Sequence, residues 1–117
     1  MKQTEFWIQD WKYGVAPAKE REISAGLLRI FRQFWDWAEL DQKSKTTQQR
    51  YSNSLHALGG WAVEMAAEDD SKIEAFQILV EATSAGDGPL IYWDREEYQK
   101  ELDTVCRKLY KFLMSQC

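Results

Sequence analysis

Four times along this chain apolar residues return at every third or fourth position, with polar or glycine–proline breaks between the runs. That pattern commits the chain to amphipathic helices packed on one another. The first stripe reads Ile23, Leu27, Ile30, Phe31, Phe34, Trp35 and Ala38. Pro17 stands ahead of it, where a missing N–H is harmless, and Glu20 and Glu22 set negative charge near the positive end of the dipole. The spacing predicts a helix over about 18–40.

The polar break Asp41-Gln-Lys-Ser-Lys45 leads to a second stripe of Tyr51, Leu55, Leu58, Ala62 and Met65, predicting a helix over about 47–68. Thr46-Thr-Gln-Gln49 has the form of a capping box at its start. Gly59 and Gly60 fall inside this helix, where each costs roughly 1 kcal/mol relative to alanine, so either a kink or a very close helix crossing is expected there.

Ser71-Lys-Ile-Glu74 is a second capping box, opening Ile73, Phe76, Leu79, Val80 and Thr83 and a helix over about 72–84. Ser84-Ala-Gly-Asp-Gly-Pro89 then stops it, and Leu90-Ile-Tyr-Trp93 is a short apolar connector. Asp94-Arg-Glu-Glu97 is a third box with aspartate as the cap, and Tyr98, Leu102, Val105, Leu109, Phe112 and Leu113 mark a last helix over about 95–115. The aromatics of Phe6-Trp-Ile-Gln-Asp-Trp11-Lys-Tyr13 fit neither period, which makes residues 1–16 an arm packed over the bundle. The expectation is one all-α domain of 117 residues with four principal helices.

Six tryptophans are the compositional outlier, since an indole brings a large apolar area and one N–H that needs a partner when buried. Trp35 and Trp37 cannot share a helical face, so at least one is exposed or covered by the arm or a partner chain. Trp7, Trp11, Trp37 and Trp93 are the candidate interface residues. Fifteen basic against nineteen acidic residues give a net charge of −4, a field that opposes approach to phosphate backbones unless a local basic face exists. Lys43, Lys45, Thr46 and Arg50 are the candidates for such a face, because they surround a helix start that already favours an anion. Arg107, Lys108 and Lys111 are read instead as cations complementing a helix C-terminus.

Catalytic chemistry finds no support. His56, the only histidine, has no partner nearby in sequence and reads as a partly buried structural residue. Cys106 falls on the last stripe and reads as core, without local metal-ligand spacing to either Cys117 or His56. The acidic run Glu64, Glu68, Asp69, Asp70 and Glu74 reads as a solvated helix junction. No phosphate loop, dinucleotide fingerprint or nucleophile elbow occurs, so neither a cofactor nor a metal is expected. The opening Met-Lys-Gln-Thr-Glu lacks the apolar run of a secretion signal, no stretch approaches the roughly 20 apolar residues of a membrane span, and a reducing, cytoplasmic setting is expected.

Two resemblances rest on these segments. Ser44-Lys-Thr-Thr47, Arg50-Tyr51, Leu55, Leu58 and Trp61 resemble the second helix of the core-binding domain of tyrosine recombinases, the helical module of phage integrases that clamps DNA beside a separate catalytic domain. The resemblance implies DNA contact from the start of that helix, while the catalytic arginines, histidine and tyrosine of the second domain have no room here. Ser44-Lys-Thr-Thr47, Leu58-Gly-Gly60, Gly88-Pro-Leu90 and Cys106-Arg-Lys-Leu-Tyr-Lys-Phe112 are similar to a group of small uncharacterised bacterial proteins, which brings no activity with it. The expected function is therefore that of a non-enzymatic interaction module, taking another protein or a second copy of itself, with DNA as the alternative partner.

Overall fold

A computed structural model describes residues 6–70 and 72–116. Its helices are α1 (Phe6–Asp10), α2 (Pro17–Trp37), α3 (Lys45–Glu68), α4 (Ala75–Thr83) and α5 (Glu96–Ser115), with a single 3-10 turn at Leu40–Gln42. All regular structure among the described residues is helical, as the periodicity requires. α2 is the central element and touches each of the other four helices. Its stripe Leu27, Phe31 and Phe34 meets Leu55 and Leu58 of α3, Leu79 of α4 and Leu109, Phe112 and Leu113 of α5 in one contiguous buried cluster. Each such side chain contributes roughly 1.5–3 kcal/mol through burial, so this cluster is what holds the bundle together.

The helix ends differ from the sequence expectation for reasons that lie in tertiary contacts. α2 stops at Trp37 rather than near residue 40, because Glu39 turns left-handed at φ 54°. That reversal tucks Leu40 into the core and brings Asp41 to the Trp35 indole, whose Nε1 donates to Asp41 Oδ1 at 2.8 Å. At the start of α3 the cap is Ser44, whose hydroxyl accepts from the Thr47 N–H at 3.2 Å. The Thr46–Gln49 box does not form, since Thr46 already lies inside α3, and Gln49 Nε2 donates to Asn53 Oδ1. α5 likewise starts after Arg95 without the Asp94 cap, and α4 starts at Ala75 rather than 72. Ser71, the cap of the second expected box, lies outside the described residues.

The N-terminal segment carries a helix that the sequence pattern left unassigned, and it supplies a core residue. Trp11 is 4% exposed, its Nε1 donates to the His56 carbonyl at 2.9 Å, and its ring meets Phe31 edge-on. Trp11 is thus withdrawn from the interface candidates. It also accounts for the glycine pair, because α3 runs unbroken through Gly59 and Gly60 and the indole lies against both. A β-carbon at Gly59 would stand 2.6 Å from Trp11 Cε2, well inside contact distance. The close approach is therefore real, and it is made by an indole of the arm.

Candidate interaction surface

The outward face of α3 carries Ala57, Trp61 and Met65 at helical spacing, opposite its buried side of Leu55, Leu58, Ala62 and Ala66. Trp61 is the common wall of two neighbouring clefts. The larger, about 510 Å³, runs between the arm and the connector before α5 and takes in Tyr13, Leu90, Ile91 and Trp93. The smaller, about 180 Å³, lies toward α4 and is lined by Met65, Ile73, Ile78 and Ala82. Trp93 is 79% exposed, Leu90 72% and Met65 49%. The rims carry Asp10 and Glu64 on one cleft and Asp69 and Glu81 on the other, against Lys12 as the opposing cation.

Both flanks are held in place by carboxylates and amides acting on backbone. On the arm side, Glu20 of α2 is 3% exposed and clasps four successive N–H groups. Oε1 accepts from Tyr13 at 2.6 Å and Gly14 at 2.9 Å, while Oε2 accepts from Val15 at 2.9 Å and Ala16 at 2.7 Å. The Ala16 N–H foremost, with the other three, holds the Glu20 carboxyl below the ordinary glutamate range despite the opposing effect of burial. The clasp sets the bend from which Tyr13 reaches Glu68 Oε1 at 2.7 Å, and that bond raises the tyrosine pKa. Lys19 adds a bond to the Asp69 carbonyl.

On the connector side the amide of Gln99 does comparable work. Its Oε1 accepts from Ile91 at 3.1 Å and Tyr92 at 2.9 Å, and its Nε2 donates to the Pro89 carbonyl at 3.0 Å and to Asp103 at 2.9 Å. Asp103 in turn accepts from the Gly88 N–H at 3.0 Å. Gly88 has to be glycine for this packing, since a β-carbon there would come 2.7 Å from Cys106 Sγ. Arg107 closes the loop by pairing with Asp87 at 3.0 Å, so this cation serves a local fastening and not the end of α5, whose last turn holds no basic residue. Leu90 and Trp93 are therefore presented outward by a connector whose backbone is tied down.

The other sequence candidates are dispersed. Trp7 is half-buried against Trp11 and His56, with ring centroids at 5.6 and 5.1 Å. Trp37 is exposed at the opposite end of the bundle, packed on Phe112 at 5.5 Å, while Trp35 is buried. Lys45 and Arg50 line different clefts, the first with Trp7 and Trp35, the second with Tyr51 and Glu101. Arg50 Nε also pairs with Glu101 at 3.5 Å, and Lys43 and Thr46 stand exposed on either side of the Ser44 cap. The structure thus does not gather the four anion candidates on one face. Trp61 was missed as a surface residue because its neighbours come from three separate segments, and because Met65, expected on the stripe of Leu55, Leu58 and Ala62, stands outside that stripe and faces outward.

His56 finds its partner 46 residues away, with Nε2 at 3.0 Å from Asp10 Oδ2. Cys106 is buried and its thiol is pushed up to about 12 by that burial, so it stays protonated. Among the described residues no group of three or more His, Cys, Asp or Glu side chains could hold a metal ion. No helix among them is long and apolar enough to cross a membrane. Compared with protein-family models, curated proteins and solved structures, the chain matches none.

Proposed function

We propose that the protein is a non-enzymatic, cytoplasmic interaction module that receives an apolar, basic segment of another protein on the outer face of α3. The observation that carries this reading is the grouping of Trp93 and Leu90, both largely exposed, with Trp61 and Met65 on one fastened surface. Exposed apolar side chains that cluster between polar rims mark interaction sites, and aromatic anchors dominate the energy of such contacts. Glu64 and Glu81 on the rims, beside the Asp10 that His56 already meets, favour a partner with positive charge, and an arginine or lysine over Trp61 or Trp93 adds a cation–π contact. A second copy of this chain, itself at net charge −4, is the poorer match.

The test is capture from a lysate of the host cell on immobilised wild-type chain and on the Trp93→Ala/Leu90→Ser variant, with light scattering at several concentrations alongside. The reading expects basic proteins held by wild type and released by the variant, with a monomer in solution. Identical retention by both chains, or concentration-dependent dimerisation abolished by the variant, overturns it. Duplex DNA is the competing partner, through Lys43, Lys45, Thr46 and Arg50. Its signature is retention that falls steeply with salt and is lost in Lys45→Ala, and that result would replace the present reading.

A further inference from the structure

A further cleft, of about 580 Å³, lies between α1 and the first turns of α2 and shares only Lys12 with the Trp61 surface. Its volume is in the range of small-molecule sites. Ile8 and Pro17 give it apolar wall, Lys12 and Arg21 stand exposed at its rim, and Glu20 and Ser24 form a buried floor. Neither Lys12 nor Arg21 makes an ion pair among the described residues. The Ser24 hydroxyl is 2% exposed and has no hydrogen-bond partner among them either. A buried hydroxyl left alone costs free energy, and one lining a cavity is a donor waiting for an acceptor.

We propose that this cleft binds a small monocarboxylate with an apolar tail. The carboxylate is met by Arg21 and Lys12 and by the Ser24 hydroxyl, while the tail lies along Ile8 and Pro17. Glu20 keeps its charge but turns it onto four backbone N–H groups of residues 13–16, and the two cations Arg21 and Lys12 outnumber it at the cleft. Both cations are exposed, so their removal leaves the core untouched and tests binding without unfolding the chain.

The experiment titrates the full chain with octanoate by calorimetry and by amide chemical shifts, with acetate and octanol as parallel arms that isolate charge and tail. Saturable octanoate binding is expected, with shifts at Ile8, Arg21 and Ser24 and far weaker binding of either control. Arg21→Ala should weaken octanoate about tenfold, the loss of one charge-assisted contact, and Ser24→Ala should weaken it while preserving the spectrum. The absence of saturation, equal binding of acetate, equal binding of octanol, or an affinity unchanged in both variants each overturns the assignment. None of these outcomes bears on the α3 surface, so the two proposals stand or fall separately.

Discussion

Replacing Gly59 by alanine should destabilise the protein, while the same change one residue later should not. Both positions lie in the interior of α3, so alanine gains up to about 1 kcal/mol of helix propensity at either. At Gly59 the new methyl would stand 2.6 Å from Trp11 Cε2 and 2.7 Å from Cη2, a clash with a rigid ring. At Gly60 the nearest atom is Trp11 Cδ1 at 3.4 Å, ordinary contact. Overpacking of this kind costs about 1–3 kcal/mol, and displacing the indole would also stretch its 2.9 Å bond to the His56 carbonyl, worth about 1 kcal/mol. The net expectation is a loss of about 1–3 kcal/mol for Gly59→Ala and a change between zero and a gain of about 1 kcal/mol for Gly60→Ala. Urea unfolding followed by tryptophan fluorescence measures both. A double-mutant cycle isolates the cause, because in a Trp11→Ala background the penalty at Gly59 should vanish and alanine should stabilise there as well. Equal stability of the two single variants, or the same Gly59→Ala penalty with and without Trp11, would refute the close approach as the reason for the glycines.

Glu20 makes the fold acid-sensitive in a definite direction. Its carboxyl is lowered in the folded chain, so the stability it contributes is full above the unfolded glutamate pKa and is lost as pH falls through the lower folded value. Glu20→Gln should cost about 2 kcal/mol near neutral pH and progressively less in acid, as urea midpoints across pH 7 to 3 would read; a penalty independent of pH would remove the charge from the explanation. Gln99→Ala should free the connector, raising amide exchange at Ile91 and Tyr92 by tenfold or more while leaving the α2–α3 core protected, about the effect of losing one well-made contact. In a Cys117→Ser background, Cys106 should resist a thiol reagent until the chain unfolds, and rapid labelling of the native protein would contradict its burial.

What was legible in the sequence is what local periodicity controls. The four long helices follow from stripes such as Ile23–Leu27–Ile30–Phe34, and Cys106 and the Trp35/Trp37 split follow from the same geometry. Helix ends were less legible because distant contacts decide them. Ser44 caps α3 where a Thr46 box also fits the sequence, and α2 ends at Trp37, short of residue 40, where the chain turns to bring Asp41 to the Trp35 indole. The glycine pair was readable as a demand for space, but its occupant, Trp11, sits 48 residues before Gly59. Glu20 registered only as a favourable charge at a helix start, because a clasp on residues 13–16 depends on a bend that no spacing rule encodes. The α3 surface was least legible of all, being assembled from the arm, the outer stripe of α3 and the connector before α5.

Six indole N–H groups make the partner surface directly observable by proton–nitrogen correlation spectra as a captured partner is titrated into labelled chain. Trp11 and Trp35 are bonded internally to the His56 carbonyl and to Asp41, and Trp37 packs on Phe112 at the far end, so these three serve as internal references. Docking on the outer face of α3 predicts that the Trp61 and Trp93 signals shift together and saturate with the partner while the three references stay in place. Shifts confined to Trp37, or saturating binding that leaves Trp61 and Trp93 unmoved, would contradict it.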